Sequence, residues 1–218
     1  MEIVIKNNID EVTKKLNSLE RKQIPFAASL ALNKVAHQAN TAIKKQARYQ
    51  LHNPTNWTIA GFLYDKSNKR NLEVLLYAAG ATSGKKGRLR DRNKYLIYQV
   101  EGGTRLPEGR AIIVPTKHTN LNKHGNIPRA TLKKFQNRKK YFSGKPRGRS
   151  NESNAGIYER VGRDGRKTIK KVASFVKYAK YADKRLDYYG VIKKVVDRRF
   201  KAVFADSMDR VLRMEGLR

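Results

Sequence analysis

The chain has 218 residues, with 49 Lys plus Arg against 18 Asp plus Glu and a formal net charge of +31. Cysteine is absent, which excludes a disulfide framework, thiolate metal sites and a cysteine nucleophile. No stretch nears the ~20 apolar residues of a bilayer span, so an integral membrane protein is not expected, and residues 1–5 show no basic-then-apolar pattern of a signal peptide.

Hydrophobic residues make up 39% of the chain, enough for a modest core. Mean hydropathy is −0.73, and low hydropathy with high net charge opposes folding. The composition therefore predicts a folded body carrying long basic segments that order beside a partner.

In chain order, the first 51 residues read as helical. Asn8 is placed to cap a helix starting near Ile9, and Ile9, Val12, Leu16 and Leu19 follow at helical spacing. Pro25 is predicted to break that run and open a second helix. From Phe26 to Leu51 this helix is rich in alanine. Leu32, Val35, Ala39, Ile43, Ala47 and Leu51 form one face, and Ala27, Ala28, Ala31, Ala36 and Ala42 permit close packing. His52-Asn53-Pro54 is the predicted stop.

The middle is mixed. Residues 72–79 read as a strand. Residues 80–93 hold Lys85, Lys86, Arg88, Arg90 and Arg92 around Gly84 and Gly87, the pattern of an exposed loop. The run Tyr95 to Val100 suits a strand or a short helix, since periodicity cannot separate them over so short a stretch. Gly102-Gly103 ends it. A strand is predicted at 111–115 and a short helix at 131–138. Residues 139–153 are turn-rich and basic, with little from which to build a core. Residues 157–161 and 167–178 read as a hairpin turning at Arg163-Asp164-Gly165. The last element is the clearest: Val191, Ile192, Val195, Val196, Phe200, Val203, Phe204, Met208, Val211 and Leu212 form one amphipathic stripe between Gly190 and Gly216. The expected class is α+β, with long N-terminal helices and a C-terminal amphipathic helix around a small, mainly antiparallel sheet, and extended basic loops.

Catalysis needs convergent groups, and the acids are few. Asp10 with Glu11, and Asp206 with Asp209, are the nearest to pairs; both read as helix-face residues, the second beside Arg210 and Arg213. No zinc-helix motif, nucleophile elbow or phosphate loop is present. His118 and His124 lack a neighbouring carboxylate for a metal site, and His37 reads as a packing or surface residue. No enzyme, cofactor or metal is expected.

The bases say more. Lys85, Lys86, Arg88, Arg90, Arg92, Lys139, Lys140, Lys145, Arg147 and Arg149 are the candidate contacts to DNA or to an acidic partner. Neutralising phosphates releases counterions and binds without sequence preference. Tyr141, Phe142, Tyr158, Tyr178, Tyr181, Tyr188 and Tyr189 are the aromatics among or near these bases that stacking on a single strand would use.

Three stretches carry a resemblance: the proline-opened Ile24-Pro25-Phe26-Ala27-Ala28-Ser29-Leu30-Ala31-Leu32-Asn33-Lys34-Val35-Ala36; the apolar run from Tyr95 closed by Glu101-Gly102-Gly103-Thr104-Arg105; and the C-terminal helix ending in bases. In these the chain resembles phage minor tail proteins of the tail-completion (Z) family. The resemblance implies a single tail-completion-like domain over 1–218, with a long basic insertion at about 109–165. It implies a structural virion protein of the tail or neck, assembled in the host cytoplasm, which completes the tail or joins it to the head. The implied assembly is a homo-oligomeric ring around the DNA channel, contacting portal, adaptor or tail-tube proteins, with genomic DNA as a further contact and no membrane. Ala28, Ala31, Val35, Gly102, Gly103 and Arg105 are then the candidate subunit interface. The alternative function is nonspecific nucleic-acid binding.

Overall fold

The computed structural model describes residues 1–5, 18–80, 92–148, 151–162 and 168–214. They form two compact units: Met1–Glu101 with Lys184–Arg218, and Gly102–Asp183. The class is α+β, with the strands shared among three small antiparallel sheets.

The first unit holds strand β1 (Glu2–Ile5), helices α1 (Ser18–Gln50) and α2 (Asn56–Ile59), strands β2 (Phe62–Asp65) and β3 (Val74–Ala78), and helices α3 (Asn93–Val100) and α5 (Tyr188–Met214). Its sheet has the order β1-β3-β2, with Glu2 opposite Tyr77 and Phe62 opposite Ala78.

Alanine and β-branched residues recurring every three or four positions give α1 two apolar faces. Leu32, Ala36, Ala39, Ile43 and Ala47 pack in one core with Phe62, Val74, Leu76 and Leu96, all buried. Ala31 and Val35 meet Val203 of α5. The two helices run antiparallel, because Gln50 at the end of α1 accepts a hydrogen bond from the Asp187 N–H at the start of α5 (3.4 Å).

Several expectations change here. Residues 2–5 form a strand, not part of a helix. Pro25 does not break the helix: α1 runs through it. An interior proline costs ~3 kcal/mol relative to alanine, and the long buried face that follows offsets this. Ile9, Val12 and Leu16 lie outside the described residues. Tyr95 to Val100 is helical, resolving the ambiguity of that run. Helix α5 starts at Tyr188, so Gly190 lies inside it. Asp187 caps the helix, its Oδ1 accepting from the Gly190 N–H at 3.0 Å. The sequence stop after α1 holds, and Asn53 there has φ 43°.

The second unit holds β4 (Gly103–Arg105), β5 (Ile112–Pro115), α4 (Arg129–Lys134), β6 (Tyr141–Gly144), β7 (Gly156–Val161), β8 (Thr168–Val176) and β9 (Ala179–Tyr181). The 109–165 stretch lies inside it. β4 pairs with β9, and the other four strands make a sheet of order β5-β8-β7-β6. Its small core is Tyr141, Ile157, Val172 and Ala173, flanked by Phe135 and Phe175.

The 139–153 stretch is therefore not coreless. Alternation in Tyr141-Phe142 sends the first ring into this core, 5.3 Å from Phe135, and stacks the second on Tyr158 at 5.2 Å. Gly102 and Gly103 take φ +76° and +104°, conformations that favour glycine, where the chain turns into the first residue of β4.

Candidate functional site

The exposed bases of the second unit are set by short, firmly tied elements. Helix α4 ends in a tight turn where the Asn137 carbonyl accepts from the Lys140 and Tyr141 N–H groups, and Asn137 Oδ1 accepts from the Lys139 N–H. This turn presents Arg138, Lys139 and Lys140 in succession before β6 begins.

The bases here fall into two groups. Some hold the unit together. The Arg160 guanidinium donates to the carbonyls of Arg138 (2.7 Å) and Tyr141 (2.9 Å) and lies 5.1 Å from the Phe142 ring centre. Lys171 Nζ donates to the Ser153 carbonyl at 2.6 Å. Lys140 pairs with Glu159 at 3.0 Å, and the hydrogen bond that its ammonium donates to that carboxylate is the main cause that raises the lysine pKa. The others, including Lys133, Lys134, Lys139 and Arg147, are exposed.

Apolar groups are exposed in the same unit. Ile113, Leu132 and Ile169 are about half exposed, and Tyr178 is 53% exposed. Arg110, Ile113, Phe175 and Tyr178 help line a cleft of about 970 Å³ at one end of the four-stranded sheet. A surface mixing cations with apolar side chains suits a protein neighbour that is acidic and partly apolar, because each class of group then gains a partner.

The residues singled out in the sequence separate accordingly. Lys85, Lys86, Arg88, Arg90 and Arg149 lie outside the described residues. Lys139, Lys140, Lys145 and Arg147 are exposed in the second unit. Arg92 is a correction. It is 6% exposed and belongs to the first unit's interior, with its guanidinium 4.3 Å from the Trp57 ring centre. A Cβ on Gly61 would lie 2.3 Å from Arg92 Cδ, so this glycine makes room for the buried chain.

Ala28, Ala31 and Val35 are a second correction. Each is fully buried within its own chain, so this small-residue face serves an intramolecular helix pair and offers no subunit interface. Gly102 and Arg105 are half-buried, and Gly103 is exposed. Glu101, which begins that turn, accepts from the Tyr189 hydroxyl at 3.3 Å.

The aromatic set also divides. Tyr141, Tyr158 and Tyr188 are buried, and cations already cover Phe142 and Tyr158, so these rings are not open to bases. Tyr178 and Tyr189 are exposed.

The acids Asp10 and Glu11 lie outside the described residues. Asp209 pairs with Arg213 at 2.8 Å on one helix face. His118 is exposed, and the Asn122 side chain accepts from the His124 N–H in a loop. Among the described residues no group of three or more His, Asp or Glu could hold a metal ion, and no helix is long and apolar enough to cross a membrane.

Sequence reading passed over a cationic groove in the first unit, between α1 and α5. Its α5 bases are separated by Val195, Val196 and Asp197, and although their i, i+4 spacing marks one helix face, Lys45 joins them only when the two helices pack.

Comparison of the chain with protein families, curated proteins and solved structures finds no match.

Proposed function

We propose that this chain is a non-enzymatic structural protein at the head-proximal end of a phage tail, completing the tail or joining it to the head around the DNA channel. The observation that carries the reading is the surface of the second unit, where exposed Lys133, Lys134, Lys139 and Arg147 accompany exposed Ile113, Leu132 and Tyr178. Charge alone would suit a polyanion of any kind. The added apolar groups favour burial against a folded, acidic neighbour such as a portal, adaptor or tail-tube subunit.

Ring assembly in this reading uses a heterologous interface that closes on itself. That interface lies away from the α1 small-residue face, which α5 already covers. The motifs resembling tail-completion proteins support the same assignment.

The test is the location and copy number of the chain in purified particles, by imaging with a labelled chain. A fixed number of copies, more than one, at the junction of head and tail is expected. Particles that assemble complete tails without the chain would overturn the reading.

A further inference from the structure

We infer that the groove between α1 and α5 is a binding site for a nucleic-acid phosphodiester backbone. The site lies in the first unit, shares no residue with the surface above and does not rest on the tail reading.

The groove has a volume of about 880 Å³. Lys45 stands on one wall, and Lys194, Arg198 and Arg199 on the other; all are exposed. Among the described residues no ion pair engages any of them, whereas the neighbouring Lys193 pairs with Asp197 at 2.7 Å. The acid in the lining, Asp187, has its Oδ1 tied to the Gly190 N–H. With four bases to one acid in its lining, the groove is positive.

A second observation points to a ligand. Gln38 lines the groove, and its Oε1 is buried without a hydrogen-bond partner. Buried polar atoms are ordinarily satisfied; a turn of this amide toward the groove would let the amino group of a bound base donate to it.

Geometry favours a nucleic acid over an acidic peptide. From Gln38 to Tyr49, α1 rises about 16 Å at ~1.5 Å per residue, which matches about five phosphates of one strand at ~3.4 Å each. Lys194 and Arg198 follow each other at i, i+4, about 6 Å along the axis. Tyr49 is 76% exposed at one end, a free ring for stacking on an unpaired base. Apart from the Tyr49 ring, the apolar lining is Ala42, Val191 and Val195, without the enclosed pocket that anchors a bound peptide.

The test uses the full chain and labelled 20-nucleotide DNA, single-stranded and duplex, with affinity measured by fluorescence anisotropy across a salt series. Replacing Lys194, Arg198 and Arg199 together by Gln should weaken duplex binding at least tenfold near 0.1 M salt. It should also flatten the slope of log K against log salt by about 2–3, at roughly 0.9 per lost phosphate contact. A control variant with Lys133, Lys134 and Arg138 replaced by Gln removes the same charge from the second unit and should change the slope by less than one. Tyr49→Ala should weaken the single strand several-fold more than the duplex.

Acetylation of the unmodified protein gives a readout free of mutation: bound DNA should protect Lys45 and Lys194 more than Lys133. Equal losses in the two triple variants would overturn the site and leave only bulk charge. So would absence of protection at Lys45 and Lys194. If polyglutamate of equal charge competes as well as DNA, with its binding lost only in the groove variant, the groove belongs to an acidic protein and the inference falls.

Discussion

Asn33 does work that its position in a regular helix hides. Its Oδ1 accepts from the Ser67 N–H at 2.9 Å, and its Nδ2 donates to the Ser67 carbonyl at 3.1 Å. Ser67 Oγ lies 3.2 Å from Ser29 Oγ, so the link between β2 and β3 is stitched to α1 through buried polar groups. Asn33→Ala leaves Ser67 without these partners and should cost about 1–3 kcal/mol, measured by urea unfolding. Asn33 was visible in the sequence only as part of a motif, because its partner is 34 positions away and no local pattern joins them. Arg92 shows the opposite error. Its place among neighbouring bases suggested surface, while Trp57 and Gly61, distant in sequence, decide that it is interior.

Tyr188 is another residue whose surroundings set its chemistry. It is 2% exposed and stacks on Phe62 with ring centres 6.1 Å apart. Burial is the main cause that raises its hydroxyl pKa, with Tyr189 and Glu2 adding to it. A raised folded-state pKa means that the stabilisation is complete below the unfolded value, near 10, and is lost as pH climbs past it toward the folded value. Tyr188→Phe removes that dependence. The variant should match the parent near pH 7 and keep its helical circular dichroism to higher pH in an alkaline titration.

At the scale of elements, the α1–α5 pair dominates the first unit. Small side chains at Ala28, Ala31, Ala36 and Ala39 set how closely packed neighbours approach, and all are fully buried. Ala31→Leu places three extra carbons against Val203 and Val35 and should cost about 1–3 kcal/mol by overpacking, read as a lower thermal midpoint. Both helices were legible because long apolar stripes average over many residues. β1 and β6 were not. Each has four residues, too few for a period to show; β1 is fixed by a partner far along the chain, Glu2 opposite Tyr77, and β6 by its pairing with β7, Tyr141 opposite Glu159. The β7–β8 hairpin was legible because its halves are close in sequence and pair directly. In the candidate site, the bases at 139–147 were legible as a run. The groove bases were not, since they meet only after two distant helices pack.

At the scale of the molecule, the charge of +31 opposes compaction. Raising sodium chloride from about 0.02 to 0.3 M shortens the screening length from about 20 Å to about 6 Å. The thermal midpoint should therefore rise with salt, and a fall would show that ion pairs outweigh the repulsion. The two units also differ in the size of their cores. The first buries residues from all of its longer elements, while the second relies on Tyr141, Ile157, Val172 and Ala173 with two flanking rings. Amide hydrogens of β7 and β8 should exchange faster than those of residues 35–47 in α1, because less buried apolar contact resists their opening.

The first unit is assembled from two pieces of chain, with the whole of the second lying between them. During translation, at roughly 5–20 residues per second, α1 emerges many seconds before the α5 residue Val203 that covers Ala31 and Val35. Until then, that seam stands open on the nascent polypeptide. A ribosome that stalls before α5 would release a product whose greasy helix still seeks a mate, making late termination a greater hazard for clumping than early loss of the chain.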